Sequence, residues 1–279
     1  MISVNFEYHR ATTISEAVEM YENLSAMGKR PLFLNGGTEI ITLMRVQAAY
    51  TNAGAVIDIK HIPECSFVGF EGDTFTIGAS VSLAKIEAMT EFPLLSKVCS
   101  RIADHTSREK ITLGGNICGS IQYKEAILPL LLTDCELVIA NKLGMETVSI
   151  HQVFDQSIGQ IVLKPGSIIV QIKIARSFLT LPFISKKILS IGRIGYPLLT
   201  VSAIKVDNKT RFAISGLCEF PFRSHRFETV LNERDTGMTA AMNEVPAPIV
   251  NDVSGSATYR AFVLQNVLEE AMYELKGAQ

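Results

Sequence analysis

The chain has 279 residues, no tryptophan and a formal net charge of −2, with 47% hydrophobic and 19% charged residues. That balance describes a globular protein of more than one subdomain, and it gives no electrostatic reason to expect nucleic acid or an acidic membrane surface as partner. The first ten residues carry no long apolar core, and no apolar run reaches ~18 residues, so neither a signal peptide nor a membrane span is expected and the expected location is the cytoplasm.

Thr13 and Glu16 form a capping-box pattern ahead of Ala17, Val18, Tyr21 and Leu24, and Gly28 stands where that helix would stop. "PLFL" reads as a buried strand that breaks at Asn35 into Gly36 and Gly37, followed by Thr38, Glu39 and a short helix over "EIITLMR". "AVIDI" (55–59) is a further strand, and residues 66–79 form a hairpin around Gly72 and Asp73. Helices are predicted over about 82–90 and 92–104, then a long loop, 105–121, rich in Gly, Ser, Thr and Asn. Residues 124–133 read as a helix, "CELVIA" and "METVSI" as a second hairpin over "NKLG", and "PGSIIVQIKI" (165–174) as a strand. Beyond residue 176 the pattern predicts strands near 185–192, 198–206 and 211–219, the last two joined by "DNKT". Helices follow near 224–235 and 255–275, with a proline-containing link at 244–252. The fold class is therefore α+β. Residues 1–176 form a first domain with subdomains about 1–55 and 56–176, and residues 177–279 form a small domain with a three-stranded antiparallel sheet.

The five cysteines (Cys65, Cys99, Cys118, Cys135, Cys218) include no C-x-x-C pair, and the five histidines are scattered, so no metal site is expected.

The chain breaks twice at a glycine pair, in "LFLNGGTEI" (32–40) and "TLGGNICGS" (112–120). Paired glycines let a backbone approach another object closely, either a neighbouring strand or a phosphate-rich ligand. The G-x-G-x-x-G dinucleotide pattern is absent. "GGNICGS" has P-loop-like glycine spacing without the lysine. Two loops with free backbone N–H groups, converging from different subdomains, could clamp a pyrophosphate without lysine or metal.

These loops resemble those of the FAD-binding subunit of the molybdenum hydroxylases, the xanthine dehydrogenase and carbon monoxide dehydrogenase family. The family's Ala-Gly-Gly-Thr-Asp loop is matched by Asn35, Gly36, Gly37, Thr38 and Glu39. Its Ile-Arg-Asn-x-x-Thr-Ile-Gly-Gly-Asn loop is matched by Arg108 and by Thr112, Leu113, Gly114, Gly115 and Asn116. "IDIKHIPEC" (57–65), "TIGASVSLAKIE" (76–87) and "GRIGYPLLTVSA" (192–203) extend the likeness over nearly the whole chain. The resemblance implies a two-subdomain FAD-binding fold of the vanillyl-alcohol-oxidase type with a small C-terminal domain. It gives the pyrophosphate to Leu34, Asn35, Gly36, Gly37, Thr38 and Glu39, and the ribityl chain and flavin side to Thr112, Gly115 and Asn116. Tyr196 falls where some members place an aromatic near the isoalloxazine face; read alone, it is a tyrosine on a sheet surface. Glu125 stands where the family has an aspartate near the ribityl and ribose hydroxyls, Glu109 stands for an asparagine, and "GSIQYK" (119–124) lacks the family's proline.

The implied role is electron transfer. Substrate is oxidised at molybdopterin on a large partner, electrons cross [2Fe–2S] clusters on a small partner, and FAD on this chain reduces NAD⁺ or another acceptor. Xanthine or another purine is the expected substrate by resemblance, and no catalytic side chain is named on this chain. The alternatives are a self-contained FAD-dependent reductase or oxidase, and a degenerate scaffold subunit with weak FAD binding.

Overall fold

The computed structural model describes residues 2, 4–190, 195–233 and 238–277. Strand β1 (Glu7–Arg10), helix α1 (Ile14–Ala26), β2 (Pro31–Leu34), α2 (Thr38–Arg45) and β3 (Ala55–Asp58) build the first part. β3 lies between β1 and β2, parallel to both, with Val56 opposite Tyr8 and Leu32. All four residues of β3 are buried, as expected of a central parallel strand covered on both faces. The Thr13 hydroxyl caps α1 by accepting from the Glu16 amide, but the return bond falls one residue early: the Glu16 carboxylate accepts from the Thr12 amide and hydroxyl.

The second part runs through α3 (Pro63–Ser66), β4 (Val68–Glu71), β5 (Thr74–Gly78), α4 (Leu83–Glu87), α5 (Pro93–Cys99), α6 (His105–Arg108), α7 (Leu113–Cys118) and α8 (Ile127–Leu132). It continues with β6 (Glu136–Asn141), β7 (Gly144–Ser149), α9 (Ile150–Val153), the two-residue strands β8 (Phe154–Asp155) and β9 (Gln160–Ile161), and β10 (Ile168–Ala175). The order β4-β5-β10-β6-β7 is antiparallel throughout, so β10 inserts between the two hairpins and joins them. The predicted helices around 82–104 are shorter than expected, with Pro93 fixing the start of α5. The segment 105–121, expected as a long loop, instead holds α6 and α7. Side-chain caps nucleate both: Asp104 accepts from the Ser107 amide and Thr112 from the Gly115 amide.

The last part comprises β11 (Phe183–Leu189), β12 (Pro197–Val206), β13 (Lys209–Ser215), α10 (His225–Asn232), α11 (Met238–Met242) and α12 (Ala257–Gly277). Its sheet is antiparallel in the order β11-β12-β13. Asp207 and Asn208, both at positive φ, make the tight β12–β13 turn. Residues 197–204 of β12 are all buried. One face of the sheet packs under α12 through Leu264, Val267, Leu268 and Ala271. From the other, Ile204 and Ala213 join the core formed by α8 and the second part. Asp134 fastens that contact by accepting from Arg211, Arg223 and His151 Nε2. The strand expected over 185–192 ends at Leu189; residues 191–194 and 234–237, which the predicted strand and helix ends reach, lie outside the described residues. Among the described residues no helix is long and apolar enough to cross a membrane.

Candidate functional site

Parallel strands β2 and β3 end on the same side, where an open parallel sheet leaves a crevice. Residues 35–37 leave β2 there and run against the second glycine segment. Asn35 Nδ2 donates to Ala79 O at 3.0 Å, and the Gly36 amide donates to Thr112 Oγ1 at 3.4 Å. A Cβ on Gly36 would lie 2.1 Å from Lys110 O and 3.1 Å from Thr112 N, so the crossing demands glycine. Gly37 then turns through φ 73° and starts α2 without any side-chain cap. Among the described residues, the amides of residues 37–40 find no acceptor. Four free donors at the positive end of a helix dipole make a ready anion site. Beside them Asn35 Oδ1 is buried without a partner, so a hydrogen-bond acceptor waits for a donor.

The second segment does not offer the anion-binding concavity expected of it. Its amides are engaged within the chain: Leu113 with Val81 O, Gly114 with Ala79 O, Gly115 with Thr112 Oγ1, Asn116 with Thr112 O. The Ser120 and Ile121 amides donate to Glu39 at 2.8 and 3.1 Å. Its glycines serve close packing; a Cβ on Gly114 would meet the Ala79 Cβ at 2.7 Å. Glu39 therefore turns its carboxylate away from α2's free amides and ties the two segments together, with Tyr50 OH donating to it as well. A carboxylate aimed at the free amides would repel phosphate; turned aside, it leaves them open.

Leu34 is half-buried at the end of β2, and Thr38 opens α2. Asn116 Oδ1 accepts from the Ala126 amide at 3.3 Å. Arg108 is buried and makes four hydrogen bonds, with Glu87 on Nε and Nη2 and the Ile102 and Ala103 carbonyls on Nη1. It shapes its own segment instead of reaching the glycine crossing.

Glu125 is 5% exposed, and both carboxylate oxygens are taken, by Lys187 Nζ at 2.8 Å and Thr200 Oγ1 at 2.7 Å. Burial pushes its carboxyl above the ordinary range, although Lys187 and Thr200 pull the other way. Lys187 also donates to Arg101 O and lines a cleft of about 510 Å³ with Arg101, Asp104, His105, Arg108 and Leu189. Tyr196 is 66% exposed and stacks on Tyr123, with ring centroids 4.7 Å apart.

The proline-free stretch 119–124 is pinned by other means. Ser120 and Ile121 hold Glu39, Tyr123 O accepts from Ser215 Oγ, and Lys124 donates to Gly159 O and Gln160 Oε1. Burial pulls Lys124 down to about 8. Lys187, Tyr123, Lys60 and Lys124 are the site-adjacent residues that sequence reasoning missed. A lysine inside a mostly apolar strand is the one signal that could have marked Lys187.

Residues 4–176 match the family described as the FAD binding domain in molybdopterin dehydrogenase. The carbon monoxide dehydrogenase medium chain of Hydrogenophaga pseudoflava is 33% identical over 123 residues, 42% of this chain and 40% of that one. Caffeine dehydrogenase subunit beta of Pseudomonas sp. (strain CBB1) is 23% identical over 252 residues, 88% of this chain and 82% of that one. The xanthine dehydrogenase FAD-binding subunit of Escherichia coli O157:H7 is 27% identical over 168 residues, 58% and 55% of the two chains. In solved structures, carbon monoxide dehydrogenase from Hydrogenophaga pseudoflava shares the fold at TM-score 0.85 and 21% identity, over 99% of both chains. Quinoline 2-oxidoreductase from Pseudomonas putida 86 does so at 0.81 and 18%, over 98% of both. With the family match covering more than half of the chain, the protein belongs to the FAD-binding family of the molybdopterin dehydrogenases, which are oxidoreductases.

Proposed function

We propose that this chain is the FAD-holding electron-transfer subunit of a cytoplasmic, multi-subunit molybdenum hydroxylase, most like a xanthine dehydrogenase. The observation that carries the reading is the uncapped N-terminus of α2 behind the Gly36 crossing, where the amides of residues 37–40 have no acceptor among the described residues. Those donors suit a pyrophosphate, and a dinucleotide flavin supplies one. Bound FAD supplies a carrier that accepts electrons singly from [2Fe–2S] clusters on a partner and delivers them in pairs to NAD⁺ or another acceptor.

The chain's own residues bind and orient. The amides of residues 37–40 hold the pyrophosphate, and Gly36 lets the two segments close behind it. Thr112, Gly115 and Asn116 border the ribityl chain. The cleft between residues 100–108 and β11 falls in the size range of ligand pockets and would hold the ring end. Lys187 faces that cleft with its ammonium fixed by Glu125, and Gly195, which precedes Tyr196 in the chain, lines it as well. Glu125 thus acts through Lys187, not as an acceptor for flavin hydroxyls. The molybdopterin and [2Fe–2S] groups belong to partner subunits.

Two measurements test this. The purified chain should take up FAD, and co-expression with its large and small partners should yield a complex containing molybdenum and iron. A chain that stays colourless after FAD incubation would favour a scaffold role, and a flavoprotein that turns over substrate alone would favour a self-contained enzyme.

A further inference from the structure

We infer that Lys60 is the cationic half of the pyrophosphate site, the lysine that neither glycine segment contains. The inference rests on the FAD reading above and deepens it. β3 ends at Asp58 beside β2, so the residue two further on returns across the mouth of the Gly36–Gly37 turn. Lys60 Nζ lies 3.1 Å from Asn35 O and 2.7 Å from Asp58 Oδ2. It is thus hydrogen-bonded to the residue three positions before the uncapped start of α2. Two of its three N–H donors are in use, and its side chain is 39% exposed, so the third is free to meet a ligand.

The support beneath it is rigid. Asp58 is buried and also accepts from Tyr8 OH at 2.7 Å. Burial works against its charge, but bonds from Lys60 and Tyr8 prevail and hold its carboxyl below the ordinary range. The Lys60 amide donates to Asp58 Oδ1, which fixes the turn. The ammonium is therefore aimed before any ligand arrives. A diphosphate at α2 would meet backbone N–H groups on one side and this cation on the other. Glu39, the nearby acid on α2 itself, is turned to residues 120 and 121 and does not oppose it.

The geometry assigns Lys60 to the phosphates and not to the flavin ring or ribityl chain, so its loss should be felt by any diphosphate ligand. Calorimetric titration of FAD, ADP and riboflavin into the wild type, Lys60→Met and Lys60→Arg tests this. Lys60→Met should weaken FAD and ADP about tenfold and leave riboflavin within twofold. Lys60→Arg should retain most of the affinity. Because Lys60→Met leaves Asp58 buried without its cation, the paired variant Asp58→Asn with Lys60→Met removes both charges and should show the same selective loss. FAD affinity equal to wild type in the paired variant would mean that Lys60 serves only Asp58, and would overturn the assignment. Equal weakening of FAD and riboflavin would also overturn it, by showing an effect on loop shape. A wild type that binds neither FAD nor ADP would overturn both this assignment and the FAD reading, whereas a wild type that binds FAD with indifferent variants overturns this one alone.

Discussion

Replacing Lys187 with methionine isolates the contact that joins Glu125, just ahead of α8, to the C-terminal sheet. In the wild type the Lys187 ammonium and the Glu125 carboxylate lie 2.8 Å apart, with side-chain exposures of 7% and 6%. Methionine keeps the length of the stem but leaves the carboxylate buried with Thr200 alone. Breaking a buried pair on one side costs about 3–5 kcal/mol. At roughly 2–4 °C per kcal/mol for a chain of this size, the melting temperature should fall on the order of 10 °C. The loss should depend on pH. Burial already holds the Glu125 carboxyl above its ordinary value, and removing the cation raises it further. A group whose folded-state pKa is raised contributes stability that is present at low pH and lost as pH rises through the folded value. The variant should therefore lie closer to wild type at pH 5 than at pH 8. Adding Glu125→Gln should restore most of the loss, because the amide still accepts from Thr200 and no charge remains buried. Thermal unfolding of the FAD-free chain followed by circular dichroism measures all four proteins, which suits a chain without tryptophan. An unchanged melting temperature in Lys187→Met, or a double variant as unstable as the sum of the singles, would refute the reasoning.

Gly36→Ala should abolish FAD uptake and lower stability by about 1–3 kcal/mol, since its Cβ meets backbone atoms of Lys110 and Thr112 that cannot give way. Gly115→Ala, whose Cβ meets only Thr112 Oγ1 at 2.8 Å, should be milder in both flavin absorbance and urea midpoint. Asp134 predicts acid sensitivity. Burial opposes its charge, but His151, Arg223 and Arg211 hold the carboxyl far below its usual range. Its contribution is thus present above the unfolded value of about 3.9 and lost as pH falls below it. Asp134→Asn should lower the urea midpoint at pH 7 and flatten its fall between pH 4 and 2.

The elements set by local chemistry were legible in the sequence. The Thr13 cap, the hairpins at Gly72–Asp73 and Asp207–Asn208, and the break of β2 into Gly36–Gly37 all follow from residue type at close spacing. The insertion of β10 between two hairpins was not, because a strand's partners are chosen by burial across long separations. Residues 105–121 were misread because their composition is that of a loop, while Asp104 and Thr112, each capping a short helix, lie at or just beyond the edges of what periodicity can see. Both glycine pairs were expected to offer free amides. Only the first does, since the second lies on Ala79 and Val81, neighbours that no local pattern reveals. Glu39 and Glu125 were placed by analogy as ligand contacts. Within the chain their carboxylates bond Ser120 and Ile121 in one case and Lys187 and Thr200 in the other, residues from segments far along the chain.

Those separations bear on when the cofactor can enter. Asn35 meets Ala79 across 44 residues, Gly36 meets Thr112 across 76, and Glu125 meets Thr200 across 75. Closing such long intervals is slow and entropically unfavourable until most of the native contacts exist. A nascent chain that has released only α2 presents amides with nothing behind them, and one released through α8 still lacks the strands that fix Glu125. The flavin is accordingly admitted after folding, as a late arrival to a finished cleft. A short peptide spanning residues 32–45 should not bind FAD measurably, however well its sequence matches.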